Sequence, residues 1–153
     1  MICMDEKRLA GERLLGSWLN LSSTVWNRRR VSGMTFNEVL VCGLLKRRMD
    51  TEPDKFYIAT ELCAETGLFK SQMNKLINSM EEKGLVTRLR SEKDRRFVYI
   101  KLTGEGEIRY LKEHEGIMLM LDRLVDAVGT DCANDCADLV NKVTDGLKKI
   151  KDN

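Results

Sequence analysis

The chain has 153 residues, 42% hydrophobic and 33% charged, and its 26 Lys/Arg against 24 Asp/Glu leave a formal net charge of +2. That is the size of one domain, or of two small lobes sharing a core, and it can bury roughly two-thirds of its unfolded surface. No stretch approaches the roughly 20 apolar residues of a membrane span. The opening MICMDEKRLAGERLL lacks the apolar core of a signal peptide, so a cytoplasmic protein with no membrane partner is expected. Five cysteines (Cys3, Cys42, Cys63, Cys132 and Cys136), odd in number and irregularly spaced, specify no disulfide framework.

Residues 7 to 30 carry Leu9, Leu14, Leu15, Trp18, Leu19, Leu21, Val25 and Trp26. They predict a long first helix, with Arg28, Arg29 and Arg30 in its last turn. Ser32-Gly33 breaks it. Thr35 before Phe36, with Glu38 three residues after the threonine, is a capping-box pattern. It opens a second helix running to about Met49. Asp50 to Lys55 includes the only proline and reads as a loop, and Phe56-Tyr57-Ile58 as a short strand. A third helix, about Thr60 to Thr66, ends at Gly67. The fourth, about Lys70 to Lys83, places Met73, Leu76, Ile77 and Met80 at i, i+3, i+4 and i+7, one buried stripe. Gln72, Asn74, Lys75, Asn78 and Ser79 lie mostly off it, and Gly84 stops the helix.

Val86 to Arg90 alternates, with Val86, Arg88 and Arg90 on one face. Phe97 to Leu102 alternates again, with Val98, Ile100 and Leu102 together. The six polar residues SEKDRR between them complete a hairpin. Thr103 caps a long helix to about Val128. Gly129-Thr130 breaks it, and a last helix from Asp131 carries Leu139, Val140, Val143, Leu147 and Ile150.

Charge is unevenly spread. Lys70 to Lys101 holds nine Lys/Arg against four Asp/Glu, a net of +5, and the rest of the chain is at −3. Two helices meeting at a glycine turn, followed by a basic hairpin, form a winged helix-turn-helix, which can place a helix in a DNA major groove and a loop beside it. The run KSQMNKLINSMEEKGLVTRLRSEKDRRFVYIKLTGEG resembles the MarR (multiple antibiotic resistance regulator) family of transcription factors. It matches the family's recognition helix, GLV-x-R strand, D-x-R wing (Asp94-Arg95-Arg96) and T-x-x-G start of the next helix, and the likeness extends over nearly the whole chain. It implies a mainly α fold with a small β-hairpin: a winged lobe at 34–102, and dimerisation helices at 5–31 and 103–150.

The same resemblance implies a homodimer on double-stranded DNA, reading half-sites of a pseudo-palindrome about one helical turn apart. Apolar surface on the terminal helices, beyond what one thin lobe can cover, agrees with a dimer. Ser71, Gln72, Asn74, Lys75 and Asn78 fall where the family's recognition helix meets base edges and phosphates, and Arg95 and Arg96 at the wing tip. Asn and Gln suit adenine, and Lys suits guanine or phosphate. Asp94 is implied as a wing-positioning residue paired with an arginine, the candidates being Arg88 and Arg90. One departure is Phe69, which stands where a capping Asp or Ser is common.

Other readings bear on regulation. Trp18 and Trp26, eight residues apart, share a helical face. They are either dimer-core packing or an aromatic wall of a small-molecule pocket of the family's kind, for an aromatic or phenolic effector. Met34, Phe36, Leu40, Met118 and Met120 are further candidate lining residues. Cys132 and Cys136 sit at i, i+4, a spacing that does not give disulfide geometry within the helix. Redox sensing across a dimer is the alternative. Cys42 and Cys63 read as small buried hydrophobes. His114 is the only histidine, no C-x-x-C occurs, and no phosphate-cradling glycine loop is present. Neither an enzyme, a metal nor a cofactor is expected. The rival to a DNA regulator is a winged-helix module that binds protein or RNA without operator specificity.

Overall fold

The computed structural model describes residues 6–28 and 33–150, and of residues 26–28 the backbone alone. The chain falls into two compact units, Met1–Thr35 and Phe36–Asn153. The first holds helix α1 (Glu6–Arg28). Its apolar positions Leu9, Leu14, Leu15, Trp18, Leu19, Leu21 and Val25 are all exposed. Arg29, Arg30, Cys3 and the Trp26 side chain lie outside the described residues.

The second unit runs α2 (Phe36–Thr51), β1 (Tyr57–Ile58), α3 (Ala59–Thr66), α4 (Lys70–Glu82), β2 (Val86–Arg90), β3 (Val98–Leu102), α5 (Gly104–Val128) and α6 (Thr130–Lys149). The strands form one antiparallel sheet in the order β1-β3-β2. Val86 faces Leu102 and Arg88 faces Ile100 across the hairpin. The core gathers Val41, Cys42 and Leu45 of α2, Leu62 of α3, Met73, Ile77 and Met80 of α4, and Leu85, Val86, Ile100 and Leu102 around the hairpin.

The elements follow the expected order, with local differences. α2 continues two residues past Met49 because its last turn is held from the side chains: Lys46 Nζ lies 2.5 Å from Asp50 Oδ1, and Thr51 Oγ1 donates to the Arg47 carbonyl at 2.9 Å. Phe56 and Phe97 fall outside the strands: β1 pairs only Tyr57 and Ile58 with β3, and the last pair of β2 with β3 is Arg90 with Val98. Leu76 is half-buried, so the α4 stripe is three residues deep, not four. Cys42 is fully buried as expected, whereas Cys63 is only half-buried.

The end of α4 is tightly specified. Gly84 takes φ +72°, which costs glycine nothing. Leu85 N–H then bonds the Met80 carbonyl at 2.8 Å and Gly84 N–H the Glu81 carbonyl at 3.0 Å, the paired bonds of a Schellman motif. Thr103 Oγ1 donates to the Gly84 carbonyl at 2.5 Å and accepts the Gly106 N–H at 2.9 Å, capping α5. A Cβ on Gly106 would lie 2.0 Å from the Leu85 carbonyl oxygen. The T-x-x-G sequence is therefore a helix cap and a zero-clearance contact in one device.

Candidate nucleic-acid interface

The turn from α3 to α4 is set by Gly67 at φ +73°, whose N–H bonds the Cys63 carbonyl at 2.9 Å. Thr66 Oγ1 donates to the Leu62 carbonyl at 2.7 Å and accepts the Leu68 N–H at 3.3 Å. α4 then starts at Phe69, a residue with no oxygen to offer its first N–H groups. A polar cap here is worth about 0.5–2 kcal/mol. Half of that arrangement is recovered from inside the helix, where Gln72 Oε1 accepts the Phe69 N–H at 3.0 Å.

Met73, Ile77 and Met80 fix one face of α4 in the core. Ser71, Gln72, Asn74, Lys75 and Asn78 are exposed. These five are the expected DNA-facing residues, and they lie on the solvent side of one rigid helix. Two carry internal bonds as well. Gln72 caps through its oxygen, leaving its NH2 for an outside acceptor. Asn78 Oδ1 accepts from Arg88 Nη2 at 2.6 Å.

Arg88 is the joint between α4 and β2. Besides Asn78, its Nη1 pairs with Glu81, and its backbone N–H donates to Glu81 Oε1 at 3.3 Å. This corrects the expected partnership of Asp94. The Asp94 carboxylate pairs instead with Arg96, Oδ2 to Nη2 at 2.9 Å, and its Oδ1 also accepts the Arg96 backbone N–H at 3.0 Å. Arg88 sits mid-hairpin opposite Ile100, whereas Asp94 lies in the loop beyond the last strand pair, Arg90 with Val98. Arg90 is exposed at that pair.

The wing loop has its own frame. Ser91 N–H bonds the Phe97 carbonyl at 3.0 Å, Phe97 N–H the Asp94 carbonyl at 3.0 Å, and Asp94 N–H the Ser91 hydroxyl at 3.2 Å. The Arg96 side chain, then its backbone N–H, hold the Asp94 carboxyl below its ordinary pKa, and Asp94 in turn raises that of Arg96. Lys93, Arg95 and Arg96 are exposed on this frame. Asp94 offsets the charge of Arg96, and Arg95 has no ion pair among the described residues.

Behind the interface lies a contact that sequence reading did not assign. Glu38 of α2 is 1% exposed, and Lys83 Nζ, just past α4, reaches its Oε1 at 2.6 Å. On the same helix, burial first and the Glu38 charge second push the Cys42 thiol up to about 12. At neutral pH that thiol stays protonated and is a poor nucleophile. Lys46 spans from α2 to Glu107 of α5 at 3.1 Å.

The candidate regulatory residues differ in exposure. Trp18 is exposed on α1, Met34 is buried near the end of the first unit, and Phe36 is exposed at the first position of α2 in the second. Cys132 and Cys136 are exposed thiols on α6. No helix among the described residues is long and apolar enough to cross a membrane.

A family model described as the MarR family matches residues 32–96. The HTH-type transcriptional regulator FarR of Neisseria gonorrhoeae is 30% identical over 92 residues, and the match spans 60% of this chain and 60% of that protein. FabT of Streptococcus pneumoniae, solved in complex with DNA, superposes with a TM-score of 0.68 at 18% identity, covering 96% of this chain and 100% of that one. The PcaV transcriptional regulator of Streptomyces coelicolor, solved with its natural ligand, gives 0.67 at 19% identity, covering 95% and 98%. These structural likenesses establish the winged-helix fold.

Proposed function

We propose that this chain, whose residues 32–96 match the MarR family model, is a sequence-specific DNA-binding transcription regulator of that family, acting as a cytoplasmic homodimer on a pseudo-palindromic operator. The observation that carries this reading is the α4 surface. Ser71, Gln72, Asn74, Lys75 and Asn78 are exposed on a helix whose other face is locked in the core, beside a wing presenting Lys93, Arg95 and Arg96. Amide side chains on such a helix suit base edges, and the wing cations suit phosphates.

The dimer is supported by apolar residues that the single chain leaves uncovered. α6 buries no residue, although Leu139, Val140, Val143 and Leu147 lie along it and Ile150 at its end. Leu111, Leu119, Leu121 and Leu124 of α5 are likewise exposed. Covering them with a second copy yields two winged lobes and a two-fold site with half-sites about one helical turn apart. Repression follows where that site overlaps a promoter. A small aromatic or phenolic effector would release it only through unequal affinity for the DNA-competent and incompetent states.

A genome-wide binding selection with the purified protein tests the reading. Enrichment of sites sharing an inverted repeat is expected. Recovery without any shared sequence would favour a protein- or RNA-binding module and sink the operator reading.

A further inference from the structure

We propose that Phe69 is a specificity residue that reads the 5-methyl group of a thymine in each half-site, a role that rests on the DNA-binding reading above. Phe69 is 76% exposed at the N-cap of α4. Its ring is not core, because the buried face of this helix is supplied by Met73, Ile77 and Met80. Nor does the ring serve the helix start. A phenyl group accepts no backbone N–H, and Gln72 reaches back to bond the Phe69 N–H instead. Neither burial nor capping accounts for an apolar ring here.

Its surroundings identify the occupant. Lys70, Ser71, Gln72, Asn74 and Lys75 are exposed within the first two turns of the same helix. Residues at the N-terminal end of a recognition helix are those that meet base edges. A rim of ammonium, hydroxyl and amide groups complements a polyanion, and the apolar feature a major groove offers is the thymine methyl. A phenyl ring at the helix entrance can cover that methyl while its polar neighbours bond the adjoining edges and phosphates. The residue thus gives up a polar cap and gains a contact that only one of the four bases can fill.

Deoxyuridine removes the methyl and leaves the rest of the base unchanged. The full-length protein is first offered a random-sequence duplex pool. The enriched duplex is then remade with each thymine replaced in turn. One thymine per half-site is expected to matter, its replacement weakening binding about fourfold, the value of burying one methyl-sized group. Phe69→Ala is expected to bind the unmodified duplex with a similar loss and to lose the distinction between thymine and deoxyuridine. Indifference of the unsubstituted protein to every replacement would overturn the assignment, as would full sensitivity in Phe69→Ala. The deoxyuridine measurement on the unsubstituted protein stands whatever the variant does to folding. A pool that yields no enriched sequence defeats the DNA reading itself. Enrichment without methyl sensitivity defeats Phe69 alone.

Discussion

Arg95 and Arg96 are adjacent at the wing tip but differ electrically. Arg96 is tied to Asp94 through side chain and backbone, and Arg95 is not. Arg95→Ala should therefore lower DNA affinity and flatten its salt dependence by about one unit of slope per protomer, whether or not Asp94 is present. Arg96→Ala should be partly rescued by Asp94→Ala, because the first change alone leaves a bare carboxylate facing phosphate. Equal, unrescued losses for the two arginines in salt-titrated binding would contradict the pairing. The pH sign follows from the same pair. A carboxyl held below its ordinary pKa, near 4, contributes its wing contacts above that value and loses them as pH falls through the lowered one. The Arg96 amide shift in an NMR titration should move only at such acid pH. A midpoint above about 4 would show that the contact is not made.

At the scale of elements, the periodicities were legible because they repeat: three apolar positions turn-by-turn on α4, and alternation in β2 and β3. The glycine stops were legible because φ near +70° has few other residents. Partner choice was not, because it depends on distances that spacing does not encode. Glu38 and Lys83 are 45 residues apart, and Glu38 already had a local explanation as part of a capping box. Arg88 had nearby acids on both sides, and the hairpin register decided for Glu81. The T-x-x-G sequence was visible as a pattern, but its reason was visible only in three dimensions. Gly106→Ala should cost at least about 2 kcal/mol in urea unfolding, since a backbone oxygen must move. A loss under about 0.5 kcal/mol would mean that α5 slides freely on the Gly84–Leu85 corner.

For the whole molecule, the sequence showed apolar terminal helices, and the structure leaves them uncovered along α1, α5 and α6. In the proposed dimer a second copy would close that surface and set two α4 helices on one duplex. Sedimentation at micromolar concentration should give twice the 17.6 kDa of the chain, and a stable monomer would remove the half-site geometry. The uneven charge also belongs to this scale. On the proposed reading, a +5 segment on a body of −3 would draw a duplex to the wings and away from the terminal helices. The central claim is that this surface reads sequence and does not merely hold phosphate. It is tested most directly by the ratio of affinities for the selected duplex and a scrambled duplex of equal length at physiological salt. The account predicts a ratio of about a thousand or more, and a ratio near one would contradict it.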